Sequence, residues 1–358
     1  MTLDERLALV RARLDSWEVD ALLVTSVSNR VWLSGFSGSS GQLIITRDGA
    51  YLATDSRYWE QMAQQAPSYE LFKTYTGKRD VSDLLRELSA KRIGIEAAHV
   101  TVGAFDKLMQ SLPDLDWNLL PSTVEDLRQQ KSADEIAIIR QAAALSDRAV
   151  YSVPKLIRQG MSERELAWKL EQLMREAGAD APGFDIIVAS GPNAALPHHH
   201  PGERCFETGD TIVVDLGAEL ALYRSDITRS FHLGLEPEPP FWEIYNLVKA
   251  ANERAIDGSR AGMSGSRIDA LARDVIVEGG YGEEFGHGLG HGVGLEIHEE
   301  PYLRSGLDVE IPPNAVVTIE PGIYVAGWGG VRLEDLVVFG EAGVEVLSQA
   351  PKSPLISI

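Results

Sequence analysis

The chain has 358 residues and a formal net charge of −20 at pH 7, with one cysteine, Cys205. The length predicts two domains, each able to bury its own core. The excess of acids disfavours nucleic acids and anionic membranes as partners, because both are polyanions. A lone cysteine excludes an intrachain disulfide bond and favours a reducing compartment. The N-terminal segment lacks the continuous apolar run of a signal peptide, so the sequence predicts a cytoplasmic protein.

Helix and strand signals alternate over the first third of the chain. Thr2 and Glu5 form a capping box ahead of an amphipathic helix that is predicted to end near Trp17. Two strands are predicted around the Arg-Asp-Gly turn at residues 47–49. Such alternation is typical of an α/β domain with a largely parallel sheet, which we expect to span residues 1–125.

A second domain is predicted to span residues 126–358, because the pattern changes where a polar stretch follows the first domain. Capping boxes at Ser132 with Glu135 and at Ser162 with Glu165 each predict the start of a long helix. Further amphipathic helices then alternate with antiparallel hairpins. This order indicates an α+β domain.

The second domain repeats itself weakly. Each half contains helices followed by a hairpin-like pair of β segments that carries two acids. Asp215 and Asp226 belong to the first pair, and Glu320 and Glu334 belong to the second. The repetition predicts a pseudo-twofold domain with these four acids converging at its middle.

The four acids together indicate a metal site. For any one acid alone, a structural salt bridge or a strand end at the surface explains the sequence as well. Four carboxylates packed together repel one another strongly, and two divalent cations would cancel their charge of −4. Oxygen ligands suit Mn²⁺, Mg²⁺ or Ca²⁺, and an added imidazole favours a transition metal.

Two segments supply histidines that could complete such a site. His287, His291 and His298 lie among five glycines in residues 285–301, a composition that excludes a regular helix and lets the backbone approach a ligand. A flexible exposed loop is the alternative, which the apolar setting disfavours. The three histidines at residues 198–200 could likewise lie in a solvated loop, although we expect at least one to face the site.

Several motifs carry a resemblance to a known family. They are WLSGFSGSSG in the first domain and VVDLGAELALYRSDITRSF, HGLGHGVGLEIHEEP, TIEPGIYV and GVRLEDLV in the second. In order and spacing they resemble the creatinase, aminopeptidase P and prolidase family of metallopeptidases over nearly the whole chain. The resemblance implies an α+β fold, in which a pseudo-twofold "pita-bread" catalytic domain follows a smaller α/β creatinase-like domain.

The family's five metal ligands match this sequence without substitution. By resemblance they are Asp215, Asp226, His291, Glu320 and Glu334. Asp226 and Glu334 are expected to bridge two divalent ions, and Asp215 is expected to hold one of them. His291 and Glu320 would hold the other. The resemblance implies Mn²⁺, with Zn²⁺ or Co²⁺ as alternatives, and a bridging hydroxide that attacks the scissile carbonyl.

The resemblance also implies three catalytic side chains. Glu320 would act as the general base or proton shuttle as well as a ligand. His198, the first histidine after Leu196 and Pro197, and His298 would donate hydrogen bonds to the developing oxyanion.

Four further residues are expected on the substrate side. His287 would line the pocket for the proline ring, and Tyr302 would lie near the substrate's end. Arg332, two residues before Glu334, would orient carboxylates and local water, and Tyr324 is a weaker candidate for the same supporting role.

The implied substrate is a peptide with proline at the second position. The main interpretation is an Xaa-Pro aminopeptidase, and the alternative is an Xaa-Pro dipeptidase (prolidase). A strict dipeptidase needs a clamp for the terminal carboxylate, which arginine supplies bidentately. Some prolidases carry an arginine directly after His-Glu-Glu-Pro, where this chain has Tyr302. Arg304, two residues further, could point the same way as Tyr302 in a strand.

Other interpretations fit the sequence less well. Methionine aminopeptidases share the catalytic fold but generally lack the preceding domain. A non-catalytic binding protein on this fold would be expected to have lost some ligands. The resemblance further predicts a homodimer, in which Trp32 or a neighbouring residue reaches the partner's site.

Overall fold

The computed structural model describes residues 1–158, 160–234 and 236–357. The chain forms two compact units, Met1–Arg128 and Gln129–Ile358. The boundary predicted between residues 125 and 126 falls inside a short helix, Glu125–Arg128, at the end of the first unit. Over the described ranges, no helix combines the length and the apolar character needed to cross a membrane.

The N-terminal unit alternates helices and strands. Its helices are α1 (Leu3–Arg13), α2 (Val27–Ser34), α3 (Trp59–Gln65), α4 (Val81–Glu87), α5 (Val102–Ser111) and α6 (Glu125–Arg128). Its strands are β1 (Ala21–Val24), β2 (Gln42–Thr46), β3 (Ala50–Thr54), β4 (Glu70–Lys73), β5 (Arg92–Glu96) and β6 (Asp116–Leu120). The predicted capping box of Thr2 and Glu5 begins α1.

One six-stranded sheet, in the order β4-β3-β2-β1-β5-β6, forms the centre of this unit. Strand β1 runs parallel to β5, β5 to β6 and β3 to β4, whereas β2 is antiparallel to both of its neighbours. Three of the five pairings are parallel, so the prediction of a largely parallel sheet is confirmed, and both antiparallel pairings involve β2. Strands β2 and β3 are antiparallel because the predicted turn at residues 47–49 is too short to join parallel strands.

Helix α2 carries Trp32, which lies inside the N-terminal unit. Only 2% of this residue is exposed, and the guanidinium of Arg6 lies 4.5 Å from the centre of the indole ring. Arg6 also donates a hydrogen bond of 2.8 Å to the carbonyl of Trp32. The expectation that Trp32 reaches a partner's site is wrong for this side chain, and a role for a neighbouring residue stays a prediction.

The second unit contains longer helices and several small sheets. Its helices are α7 (Ala133–Leu156), α8 (Glu163–Glu176), α9 (Pro239–Gly258) and α10 (Gly265–Glu278), with a 3₁₀ helix at Gly191–Ala195. Its first strands are β7 (Ala181–Pro182), β8 (Ile187–Ser190), β9 (Thr211–Leu216), β10 (Ala218–Leu220), β11 (Tyr223–Arg224) and β12 (Ile227–Leu233). Its later strands are β13 (Gly290–Gly292), β14 (Glu299–Leu303), β15 (Val316–Ile319), β16 (Gly322–Val325), β17 (Gly329–Arg332), β18 (Asp335–Phe339), β19 (Val344–Val346) and β20 (Leu355–Ile356).

Each half of this unit packs a helix pair on a sheet. Apolar side chains of α7 and α8 form one core with the inner faces of β8, β9 and β12. Those of α9 and α10 form a second core with β15 and β18. Ser132 and Ser162 cap α7 and α8 through the predicted capping boxes. The α+β prediction of a pseudo-twofold pita-bread domain after a smaller α/β domain is confirmed.

The predicted acids lie on equivalent strand pairs. Strands β9 and β12 are antiparallel, and Asp215 of β9 pairs with Thr228 of β12. Asp226 directly precedes β12. Strands β15 and β18 are also antiparallel, with Glu320 directly after the first and Glu334 directly before the second. The two pairs meet where the backbone N–H of Glu334 donates to the carbonyl of Thr228 at 3.1 Å.

Candidate metal centre

The four acids and one histidine converge where the strand pairs meet. Asp215, Asp226 and Glu334 are buried, and Glu320 is half-buried. One ligand atom from each of Asp226, His291 and Glu334 lies within 4.8 Å of the other two, a separation that a single ion could span.

The glycine-rich segment positions His291 by close backbone packing. A Cβ on Gly290 would lie 1.9 Å from the carbonyl oxygen of Thr318, and a Cβ on Gly292 would lie 2.4 Å from that of Glu300. No side chain fits at these positions, so glycine lets β13 lie between β14 and β15. The glycines thus serve strand packing around His291, whereas the sequence had suggested close approach to a ligand.

The hydrogen bonds of His291 fix which ring nitrogen faces the acids. Its Nδ1 lies 3.1 Å from the carbonyl oxygen of Gly292, and a carbonyl only accepts, so Nδ1 carries the hydrogen. Nε2 lies 3.3 Å from Oε1 of Glu320 and 3.7 Å from Oδ2 of Asp226. Burial disfavours a second hydrogen on the ring, but Glu320 raises the pKa of His291, so Nε2 also carries a hydrogen in the absence of an ion. Loss of that hydrogen leaves a lone pair that faces two carboxylates and is suited to share a cation with them.

Burial and crowding disturb the ionisation of these groups. Burial raises the pKa of Asp226 well above its usual range, and repulsion from Glu334 and Asp215 adds to the shift. Burial raises the pKa of Glu334 in the same way, with repulsion from Glu320 and Asp215. Burial would also raise the pKa of Glu320, but the hydrogen bond with His291 and the charge of that ring lower it. Four ionised carboxylates therefore need positive charge beside them.

The residues fit divalent cations. Oδ1 of Asp215 and Oδ1 of Asp226 are buried and accept no hydrogen bond from any residue that the structure describes. Burying such an oxygen without a partner costs free energy, which coordination of a cation offsets. A set of carboxylates with one imidazole is typical of sites for Mn²⁺ and related transition metals.

Two threonines that no sequence motif indicated support the acids. The hydroxyl of Thr228 donates to Oε2 of Glu334 at 2.6 Å and accepts from Nε of Arg332 at 3.0 Å. The hydroxyl of Thr318 donates to Glu320 at 3.1 Å. Thr228 lies two residues from Asp226, and Thr318 lies two residues from Glu320. Side chains two residues apart in a strand lie on the same face, and this spacing is the sequence signal that could have identified both threonines.

Arg332 links the acids to a chain of aromatic side chains. Its Nη2 donates to Oδ2 of Asp215 at 2.6 Å, and its Nη1 donates to the hydroxyl of Tyr324 at 2.8 Å. That hydroxyl lies 3.1 Å from Nε2 of His287, whose Nδ1 lies 2.7 Å from the carbonyl oxygen of Gly288. Since Nδ1 must donate to the carbonyl, Nε2 accepts from Tyr324, and the chain fixes the orientation of the His287 ring.

A cavity of about 300 Å³ opens onto these acids. The predicted residues in its lining are the five candidate ligands with His198, His287, His298, Tyr302 and Arg332. Among the residues that the structure describes, Tyr324 does not belong to this lining, and it contacts the cavity only through Arg332 and His287. Of the three consecutive histidines, only His198 belongs to the described lining.

Some residues of the lining were not predicted from the sequence. An apolar wall is formed by Phe184, Ile187 and Ile297. Arg304 also lines the cavity, and its guanidinium lies 5.4 Å from the centre of the Tyr302 ring. The expected alternation of residues 302 and 304 thus places both on the cavity side.

Comparison with known proteins identifies the family of this chain. The family model described as "Metallopeptidase family M24" matches residues 137–341, and the model of the "Creatinase/Prolidase N-terminal domain" matches residues 6–130. The chain belongs to this metallopeptidase family. It is therefore a peptidase, and the family name implies divalent metal ions, which the donor set fits.

Solved structures of related metallopeptidases cover nearly all of the chain. An Xaa-Pro dipeptidase from Bacillus anthracis is 39% identical, with a TM-score of 0.96 and 100% of each chain covered. An X-Pro aminopeptidase from Thermotoga maritima is 38% identical, with a TM-score of 0.87 over 95% of this chain and 98% of the other. Among curated proteins, the Xaa-Pro dipeptidase of Pyrococcus horikoshii is 34% identical over 98% of each chain. These relatives favour the dipeptidase alternative over the main interpretation.

Proposed function

We propose that this metallopeptidase is an Xaa-Pro dipeptidase. The observation that carries the proposal is a cavity lined by acids and by two arginines, of which Arg332 is paired with Asp215, whereas Arg304 lies beside Tyr302. A dipeptide carries an ammonium group and a carboxylate at opposite ends of a short molecule. The acids attract the ammonium group, and the guanidinium of Arg304 can accept the carboxylate bidentately. A volume of about 300 Å³ suits a small substrate.

Five side chains would hold the metal ions. They are Asp215, Asp226, His291, Glu320 and Glu334, and the unpaired oxygens of Asp215 and Asp226 support this assignment. Divalent ions bound there lower the pKa of water and polarise a carbonyl oxygen. Arg332 and Thr228 orient the acids through the hydrogen bonds described above, so these acids keep their positions when substrate binds.

The remaining roles belong to side chains of the cavity wall. His198 and His298 donate hydrogen bonds to the carbonyl oxygen, which becomes negative as water adds to the carbonyl carbon and before the peptide bond breaks. Burial lowers the pKa of His298, with further lowering by His291. A neutral imidazole still has one N–H to donate. Glu320 carries the proton toward the leaving nitrogen, and the fixed ring of His287 forms one side of the proline pocket.

Proline selectivity has a physical basis. The nitrogen of an Xaa-Pro bond carries no hydrogen, so a peptidase that binds that N–H cannot recognise it. A pocket shaped for the ring replaces the missing hydrogen bond with apolar contact. Phe184, Ile187 and Ile297 supply an apolar wall in the same cavity.

An Xaa-Pro aminopeptidase is the second candidate. Arg304 is exposed to solvent in addition to lining the cavity, so the side chain does not seal the site against a longer peptide. The relative from Thermotoga maritima carries that activity in its name. Substrate length therefore decides between the two functions.

The test compares four substrates with metal-free protein, with and without added Mn²⁺. They are an Xaa-Pro dipeptide, the same dipeptide with an amidated C-terminus, an Xaa-Pro tripeptide, and an Xaa-Ala dipeptide as the control for proline. We expect metal-dependent cleavage of the free Xaa-Pro dipeptide, with kcat/KM at least about 10-fold above that of the amide and of the tripeptide, since one charge-assisted hydrogen bond is worth roughly 1.5–3 kcal/mol.

Other outcomes would revise the proposal. Equal or faster cleavage of the tripeptide would make the protein an aminopeptidase. Absence of cleavage with Mn²⁺, Zn²⁺ or Co²⁺ would refute proline-specific hydrolysis altogether. Manganese as the working ion, a homodimer and a cytoplasmic location stay predictions from the sequence.

A further inference from the structure

Glu163, a buried acid outside the metal site, has both carboxylate oxygens fully engaged. It is the first residue of α8, yet the hydrogen bonds of the capping box are made by Ser162 and Glu165. The Glu163 side chain has no exposed area. Burial would raise the pKa of this carboxyl, but hydrogen bonds from Asn193, His199 and other groups lower it below its ordinary value. Glu163 is therefore an ionised acceptor in the interior.

The donors to Glu163 come from both ends of one segment, residues 190–202, which we call the His198 loop. At its start, Oε1 accepts from the backbone N–H and the hydroxyl of Ser190, both at 2.8 Å, and from the amide of Asn193 at 3.0 Å. At its end, Oε2 accepts from Nε2 of His199 at 2.8 Å and from the backbone N–H of Gly202 at 3.1 Å. A single carboxylate thus closes the loop on itself.

Backbone hydrogen bonds continue between these two ends. The N–H of Leu196 donates to the carbonyl of Asn193 at 2.9 Å, and the N–H of His199 donates to the carbonyl of Leu196 at 3.1 Å. Asn193, Leu196 and His199 therefore form a continuous series that begins and ends on Glu163. His198 lies inside the last of these turns, where its backbone has little freedom.

The two neighbouring histidines serve opposite sides of the loop. His199 faces the interior and donates to Glu163, whereas His198 lines the same cavity as the acids. The carbonyl of Pro197, directly before His198, accepts from Nη1 of Arg332 at 3.4 Å. The loop also packs against β17, because a Cβ on Gly330 would lie 2.2 Å from the carbonyl oxygen of Ala194.

We propose that Glu163 is a positioning residue that holds His198 over the reacting carbonyl by tying down both ends of the His198 loop. This inference rests on the proposed Xaa-Pro hydrolysis and on the role of His198 in it. Glu163 itself does not line the cavity formed by the described residues, so it acts only through the loop. A hydrogen-bond donor that is misplaced by about 1 Å loses much of its effect on the transition state while substrate still binds.

The test uses Glu163→Gln, because an amide keeps the size of the side chain but accepts hydrogen bonds only through its oxygen, whereas a carboxylate accepts them through two oxygens. Either the start or the end of the loop then loses its acceptor. We expect kcat for the dipeptide to fall about 10- to 100-fold, with KM and the affinity for Mn²⁺ within about threefold of wild type. Glu165→Gln is the matched control, since this residue lies on the same helix, is exposed and serves the capping box, in which glutamine is also effective.

A double-mutant cycle separates positioning from general stability. In a His198→Ala background the Glu163→Gln change should cost less than about twofold in kcat, because the group to be positioned is gone. Loss of one oxyanion donor costs about 10²- to 10³-fold, so residual activity stays measurable. An equal loss in both backgrounds, or a loss confined to KM or to metal affinity, overturns the inference.

Two milder variants address the case in which Glu163→Gln fails to fold. His199→Ala removes one hydrogen bond of the set and should lower kcat in the same direction, whereas His199→Gln retains a donor and should recover most of the activity. Failure of His199→Gln to exceed His199→Ala contradicts the proposal. Wild-type protein that cleaves no Xaa-Pro substrate refutes the proposed function and this inference together, whereas active wild type with fully active Glu163→Gln refutes the inference alone.

Discussion

Thr228 connects residues of the candidate metal site through a single hydroxyl group. It donates to Glu334 and accepts from Arg332, which in turn donates to Asp215. Thr228→Val keeps the shape of the side chain but removes both hydrogen bonds. We expect the affinity for Mn²⁺ to fall about 10- to 100-fold, as is common when a partner of a metal ligand is lost.

The affinity is measured by titrating metal-free protein with Mn²⁺ in a calorimeter. Thr228→Ser retains the hydroxyl and should bind the ion with nearly wild-type affinity. Wild-type affinity in Thr228→Val would mean that Glu334 needs no such support.

Arg304 is expected to decide how the free carboxylate of a dipeptide is recognised. Arg304→Gln should raise KM for an Xaa-Pro dipeptide about 10-fold and leave the amidated dipeptide nearly unchanged. This expected effect lies at the low end of the range for charge-assisted hydrogen bonds, because the side chain of Arg304 is exposed to solvent.

Steady-state kinetics on the two substrates give the answer. Arg254→Gln, which removes an exposed arginine on α9, controls for the change in net charge. Equal losses for the dipeptide and its amide would exclude recognition of the carboxylate by Arg304.

At the scale of elements, β13 depends on the absence of a side chain at Gly290. Gly290→Ala would place a Cβ 1.9 Å from the carbonyl oxygen of Thr318, so β13 must move away from β15 and carry His291 with it. We expect a loss of about 1–3 kcal/mol in the free energy of unfolding, together with weaker metal binding.

Chemical denaturation and a Mn²⁺ titration test this expectation. Gly286→Ala is the control from the same segment, since a Cβ there meets nothing within 4 Å. It should change stability by no more than about 0.5 kcal/mol. Unchanged metal affinity in Gly290→Ala would show that the strand tolerates the displacement.

The elements that carry the acids could be predicted because each acid adjoins an apolar strand with a turn or helix signal nearby. Asp215 follows a run at residues 212–214 and Glu320 follows a run at residues 316–319, and the structure confirms that both runs are buried. Helix α2 was not predicted, since its sequence VSNRVWLS has no clear helical periodicity, and its capping by Ser26 becomes evident only in three dimensions. The order of strands in the first sheet was also not predicted, because local signals do not specify which strands become neighbours.

The whole molecule should become less stable as pH rises when metal is absent. Burial and mutual repulsion raise the pKa of Asp226 and Glu334 above their ordinary values of 3.8 and 4.5. A group that holds its proton more tightly in the folded state stabilises the fold below its unfolded-state pKa. That contribution is lost as pH rises through the folded-state pKa. Carboxyls with a lowered pKa, such as Glu320, act in the opposite direction only at more acidic pH.

Scanning calorimetry of metal-free protein from about pH 5 to pH 8 should therefore show a falling unfolding temperature. Saturating Mn²⁺ should raise that temperature most at high pH, where the carboxylates are ionised and bind the ion best. A flat or rising profile without metal would mean that the acids are neutralised by some other group.

The site could be predicted only as a set of residue types. Motif resemblance supplied the acids and histidines, because chemistry restricts those positions. It could not supply distances, so the support of Glu334 by Thr228, the orientation of Arg304 and the closure of the His198 loop by Glu163 all required coordinates. Each of these depends on contacts between residues far apart in sequence, which no local pattern records.

The meeting of the two strand pairs has a consequence for how the protein could be divided. A cut between β12 and α9 would leave Asp215 and Asp226 on one fragment and the other three candidate ligands on the second. Neither fragment holds a complete ligand set, so the ion would favour their reassociation by binding only the joined form. The affinity for metal therefore reports how well the two halves of the domain are assembled. A substitution far from the site that weakens the contact between the two strand pairs should lower that affinity.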